Sequence, residues 1–347
     1  MARLGSVPGI IPHIDPPIMV DATNMPPPVI NIAQHGDLIL DLSAKRPKTK
    51  LLVSSIVLKG ISPVFARLMP LSLRFPDSDN EDPRSAKKQH SVTIHDDDAT
   101  AMTNMCSMLH ARPVTFLTSP RFYFSEAEYA RMILSLAQTI KKYECVDILR
   151  LQCQGLIWEF LNEYNGTATA TCIIAHAAWI LNLERAFCAA TKHVAFDDDE
   201  FPTLKDSTLP KELYYPLQHK YLSVQDTISR GTLGILKGAC KCSIRDVTEK
   251  CRKQLDDAEL HYFSPGDQIE PSQLIMRLPN LIGEERYWCD GTCGEVAKVT
   301  RNEVQSFIAK IEKLCEGLCL RCLRENKLID PTESCSELEH RHRRFGY

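Results

Sequence analysis

The sequence predicts an α+β fold: a small sheet capped by helices, followed by a mainly α-helical C-terminal region. Three observations predict it. Leu38-Ile39-Leu40-Asp41-Leu42 and Lys50-Leu51-Leu52-Val53 are short apolar runs separated by a polar Lys/Pro/Thr turn, the pattern of a β-hairpin. From Ser125 onward, apolar residues recur at helical rather than alternating spacing. The 347 residues are 44% hydrophobic and 24% charged, enough to bury a sizeable core in two domains or in one with a long extension. Collagenous, fully disordered and stapled mini-protein classes are thereby excluded.

Residues 1–35 read as a Pro-rich flexible arm, because seven of the 21 prolines fall within the first 28 positions and each removes a backbone donor and fixes φ. Residues 36–164 form the first folded unit. After the hairpin, Ser54 and Ser55 stand as caps before Ile56-Val57-Leu58, and Ser62-Pro63 places a cap and a first-turn proline before a second short helix. Ser91-Val92-Thr93-Ile94 alternates as a third strand. Asp96-Asp97-Asp98 puts negative charge at the start of a helix through Met102, Met105 and Leu109, where the macrodipole favours it, so the acidic run needs no metal.

Ser125 and Glu128 make a capping box ahead of Tyr129, Met132, Ile133, Leu136 and Ile140. Leu149, Cys153, Leu156, Ile157 and Phe160 repeat the spacing in a second helix. Leu40, Val53, Phe65, Leu68, Ile94, Met105, Leu109, Ile133 and Leu136 are the expected core. Residues 165–196 read as a helical extension, 197–222 as a linker marked by Asp197 to Glu200 and several prolines, and 223–347 as a helical Cys-rich region. Within that region helices are expected near 224–237, 243–259 and 301–324, with an irregular link at 264–294.

The start of the chain, with one Arg and four prolines in its first 20 residues, has no signal-peptide apolar core, so an intracellular, cytoplasmic or nuclear, location is expected. The uncharged stretch Tyr164 to Leu183 carries Asn165, His176 and Asn182 and reads as a buried helix, not a membrane span. A net charge of −3 with interspersed signs offers no phosphate-binding face, so no nucleic acid is expected. Phosphate-cradle, nucleophile-elbow, zincin and dinucleotide motifs are absent. An enzyme, a small-molecule substrate and a cofactor are not expected.

Nine of the 14 cysteines fall in the last third. Cys315, Cys319 and Cys322 share a helical face with Ile308 and Ile311, as small hydrophobes in a packing seam would. Cys240, Cys242, Cys289 and Cys293 remain open as candidates for structural zinc, although no pair of C-x2-C knuckles is present. The tail from His340 to Arg344 reads as a solvated basic end.

The order of these elements, with the residues in them, resembles the BTB/POZ domain, especially the divergent form of filamentous fungi. Gly36-Asp37-Leu38-Ile39-Leu40 is similar to the family's opening strand, Leu51-Leu52-Val53-Ser54-Ser55 to its second strand and first helix, and Ser62-Pro63-Val64-Phe65 to its S-P-x-F turn. Val92-Thr93-Ile94 with Asp97-Asp98 continues the match, and Leu109-His110-Ala111-Arg112 is close to that branch's L-H-G-R. The resemblance spans 36–164, and the helices to 196 resemble the extension that often follows.

What the resemblance implies is a protein–protein interaction module, an adaptor or scaffold that binds other proteins, among them BTB proteins or a cullin of a ubiquitin ligase. The family's cullin-contacting helix maps onto Met102, Asn104 and Met105, the expected partner-binding residues. Asn104 stands where an acidic residue is usual, so any cullin contact is expected to be weak. The usual swapping helix is precluded by Pro26-Pro27-Pro28, which leaves Val29 to Ala33 as a strand that could swap. Ser55 replaces the basic residue that pairs with the acid matching Asp37. A monomer or weak dimer is therefore expected. The alternative function is a regulatory or binding protein with a structural zinc in the Cys-rich third.

Overall fold

The computed structural model describes residues 28–42, 48–69, 90–114, 124–163, 167–196, 201–204, 208–237, 271–282 and 298–325. Among these residues the fold is mixed α and β, mostly helical, with one four-stranded sheet. The strands are β1 (Val29–Asn31), β2 (Leu38–Asp41), β3 (Lys50–Val53) and β4 (His90–Thr93), in the order β1-β3-β2-β4. β2 and β3 form the expected antiparallel hairpin, with Leu40 opposite Leu51. β4 lies parallel to β2, and β1 lies parallel to β3 within the same chain. Period-2 alternation puts Leu38, Leu40, Leu51 and Val53 on the covered face, where all four are fully buried.

The first helices are α1 (Ser55–Ile61) and α2 (Pro63–Leu68). Ser62 caps α2 by accepting the Phe65 N–H at 3.1 Å and donates its hydroxyl to the Tyr143 carbonyl at 2.6 Å. Phe65 stacks on Tyr143, with ring centroids 4.4 Å apart. The expected burial of Leu68 is corrected: it is 45% exposed, because Met69 rather than Leu68 follows Phe65 into the core.

Then come α3 (Ala99–Leu109), α4 (Glu126–Lys142), α5 (Val146–Glu163), α6 (Ala168–Ile180) and α7 (Glu184–Phe196). Asp98 caps α3 through the Ala101 N–H at 2.7 Å, and the Ser125–Glu128 capping box opens α4. Tyr129, Ile133, Leu136 and Ile140 of α4 and Leu149, Cys153, Ile157 and Phe160 of α5 are buried as their spacing dictates. The uncharged segment holds α6, buried on nearly every side, and among the described residues no helix is long and apolar enough to cross a membrane.

The expected linker at 197–222 is corrected. α8 (Lys211–Lys237) begins inside it and runs through Pro216. Leu213, Tyr214, Leu217 and Tyr221 recur every three or four residues, and with Phe201 and Leu209 they join the same core as the sheet. The apolar period outweighs the bond lost at Pro216.

Within the expected irregular link the chain forms α9 (Pro271–Arg277) and a 3-10 turn, Leu278–Leu281. α10 (Arg301–Leu314) and α11 (Leu320–Arg324) replace the single helix expected at 301–324. Val224, Ile228, Leu274, Leu278, Val304, Phe307 and Ile311 build a second core, in which Gly231 lets α8 approach the Phe307 ring, where a Cβ would fall at 2.0 Å. The helix expected at 243–259, the 1–27 portion of the arm and the basic tail lie outside the described residues.

Candidate interaction surface

Of the expected partner-binding residues, Met102 and Met105 are fully buried and Asn104 is 1% exposed. This is a correction. α3 carries no charged residue over its eleven positions, and Ala99 and the whole run from Ala101 to Leu109 are covered. A helix apolar or neutral all round belongs in the middle of a core, and that absence of charge was the signal available in the sequence. Asn104 donates its Nδ2–H to the Thr100 carbonyl at 2.9 Å, so even its polar end is turned back on the helix.

The residues that carry the family resemblance serve to lock elements together. Asp37 accepts the Ser55 N–H at 2.7 Å and the Ser55 hydroxyl at 2.5 Å. His110 accepts the Ser54 N–H on Nε2 at 3.0 Å, and its Nδ1 lies 2.8 Å from the Cys106 carbonyl, which fixes Nδ1 as the protonated nitrogen. Ser54 itself makes no side-chain cap bond. The Ser54 and Ser55 N–H groups at the start of α1 are therefore satisfied by the residue before β2 and the residue after α3 rather than by the expected local caps.

Asp97 is likewise taken up. It is 7% exposed and accepts from Tyr143 Oη at 2.8 Å and from Lys142 Nζ at 2.7 Å. Burial pushes the Tyr143 hydroxyl far up, and the bond to Asp97 adds to it. These groups tie α3 to α4; each is engaged with a neighbour, and the arrangement positions helices.

Surfaces left uncovered lie elsewhere. On α5 the residues off the buried stripe include Ile148, 56% exposed, and Leu151, 80% exposed, one turn apart on one face. Gly155, one turn beyond Leu151, has nothing within 4 Å of where a Cβ would stand, so the face continues into open space there. Both apolar residues could have been found in the sequence, because they fall off the Leu149, Cys153, Leu156, Phe160 register.

A second uncovered feature is the sheet edge. Ile32 donates to Leu52 and Lys50 to the Pro28 carbonyl, so the even-numbered residues of β1 face β3 and Val29 and Asn31 turn their backbone groups outward. Val29 is 50% exposed. Among the described residues this edge strand is three residues long.

Cys315, Cys319 and Cys322 are all buried, with at most 7% exposure, in line with packing. They do not share one helical face, since Cys315 ends α10 and Cys319 precedes α11. The zinc candidates Cys240, Cys242, Cys289 and Cys293 lie outside the described residues. Among the described residues, no three His, Cys, Asp or Glu side chains are grouped as metal ligands. Comparison of the chain with protein-family models, curated proteins and solved structures finds no match.

Proposed function

We propose that this chain is a protein–protein interaction module, an adaptor or scaffold of BTB-like organisation that docks a partner on the exposed face of α5. The observation that carries the reading is the pair Ile148 and Leu151 beside the open space at Gly155. Two large apolar side chains stand out from a helix whose opposite face is already in the core, and Gly155, without a side chain to block a close approach, follows them on the same face. Such a face suits an amphipathic helix. Recruitment to a cullin through Met102, Asn104 and Met105 is not part of the proposal, because those side chains are covered. The short free edge at Val29 and Asn31 fits a monomer or weak dimer better than a stable one.

The test is affinity capture from a cell extract with the full chain, its Leu151→Asp and Ile148→Asp variants and a Met102→Ala variant, each checked for folding by circular dichroism. Partners lost with either α5 variant and kept by a folded Met102→Ala chain bear the proposal out. A partner set unchanged by both α5 variants overturns it.

A further inference from the structure

Among the described residues, eight cysteines are free, and Cys188 is the one that is not buried. It lies on α7, and the face of α7 that carries it is crossed by the turn between α10 and α11. Thr191, one turn along from Cys188, accepts the Leu318 N–H on Oγ1 at 2.8 Å, a bond buried on both sides. Gly317 is pressed against Cys188: a Cβ there would fall 1.7 Å from the Cys188 carbonyl oxygen and 2.9 Å from its Sγ. Two residues beyond Gly317 comes Cys319.

Gly317 and Leu318 are thus held against the α7 face that presents Cys188, and Cys319, the next residue, is near enough to act electrostatically on the Cys188 thiol. Arg321 extends this contact with a 2.6 Å ion pair to Glu184. Arg324 ties this segment to α6 as well, donating to the Trp179 carbonyl at 2.6 Å.

We infer that Cys188 and Cys319 form a thiol-oxidation site, at which a disulfide oxidant such as oxidised glutathione links them and locks the Gly317–Arg324 strap onto α7. The partially exposed Cys188 reacts first: its thiolate attacks one sulfur of the oxidant, giving a mixed disulfide and one glutathione thiolate. Cys319 as thiolate then attacks the Cys188 sulfur and releases the second glutathione thiolate. Both cysteine protons pass to solvent and both leaving thiolates are reprotonated, so two protein thiols are oxidised and one disulfide of the reagent is reduced.

Burial pushes the Cys188 thiol up, and negative charge on Cys319 and Glu316 adds to that, while Lys192 and Lys220 oppose it. The Cys188 thiol is therefore protonated at neutral pH, and its attack is slow there and faster as pH rises. Cys315, fully buried at the end of α10, belongs to the second core and stays reduced.

The experiment treats the full reduced chain with oxidised glutathione, blocks remaining thiols with iodoacetamide and digests it with trypsin without reduction. The expected product joins peptide 186–192 to peptide 314–321, with fragmentation placing the link at Cys319. The Cys315→Ser chain forms the same link. The oxidised wild type melts at a higher temperature than the reduced protein, and that gain is absent in Cys188→Ser and in Cys319→Ser, each checked for folding by circular dichroism. Cys188 recovered only as its glutathione adduct, linked to a different cysteine, or alkylated after oxidation of the folded chain would overturn the inference.

Discussion

Asp37 holds the first turn of helix Ser55–Ile61 by accepting both the backbone N–H and the hydroxyl of Ser55, at 2.7 and 2.5 Å. The hydroxyl stands where a basic side chain was expected by resemblance, and it turns a charge pair into a tertiary helix cap. The carboxylate thereby joins strand Leu38–Asp41 to α1 across 18 residues of sequence. Asp37→Ala is expected to cost about 0.5–2 kcal/mol, the usual range for a lost N-cap acceptor. Asp37→Asn is expected to cost less, since the amide oxygen still accepts one bond. Urea unfolding monitored by circular dichroism checks both, and equal stability of all three proteins would refute the capping role.

Asp97 supports a sharper comparison. Removing it leaves the Tyr143 hydroxyl unpaired beside buried Cys106 and takes away the anchor of Lys142, so Asp97→Ala is expected to destabilise by about 1–3 kcal/mol. Tyr143→Phe in the Asp97→Ala background should add little, because the unpaired hydroxyl is then gone. A double-mutant cycle in urea measures the coupling, and simple additivity would contradict it.

Residues 36–196 are not expected to be self-sufficient. Phe201, Leu209, Leu213, Leu217 and Tyr221 from α8 and its approach, with Leu318 and Leu320 of the C-terminal strap, complete the first core. A fragment ending at 196 should unfold at lower denaturant than the full chain and bind a hydrophobic dye. A fragment as stable as the full protein would show that these residues merely decorate the core.

Stability is expected to fall at both pH extremes, for different groups. Burial pushes the Cys153 and Cys315 thiols up to about 12 from 9.0. Their folded values exceed the unfolded ones, so their contribution is complete below pH 9.0 and lost as pH rises from there towards about 12. Burial pushes His176 below 6.5, against a bond to the Thr208 backbone that favours its charged form. The unfolded chain takes up that proton first, so stability declines as pH drops below 6.5. Unfolding midpoints measured across this range should show both limbs. Cys153→Ala should flatten the alkaline limb, and His176→Gln the acid one.

The hairpin, the Ser62 and Asp98 caps and the Ser125–Glu128 capping box were legible in the sequence because each is fixed by residues a few positions apart. The corrections have a common physical source. Met102 to Met105 read as a contact helix by resemblance, but an eleven-residue helix without charge is a core helix, and burial is a tertiary outcome. Pro216 read as punctuation, yet the apolar period on both sides of it holds the helix together. Cys315, Cys319 and Cys322 read as one seam, but the helix ends at Leu314 and Gly317 beyond it meets Cys188, a contact 129 positions away that no local pattern encodes. The α5 face lay in view as two apolar residues off the buried register.

The central claim, that Ile148 and Leu151 form a docking face, is tested most directly at Leu151. A photo-crosslinking amino acid placed there in the full chain identifies the protein it touches, and calorimetry then compares that purified protein's binding to wild type and to Leu151→Asp. Leu151 is 80% exposed, so the substitution should change stability by no more than about 0.5 kcal/mol. The account predicts affinity at least about tenfold weaker for Leu151→Asp, equivalent to about 1.4 kcal/mol of binding energy. Equal affinity of the two chains for the crosslinked protein would contradict it.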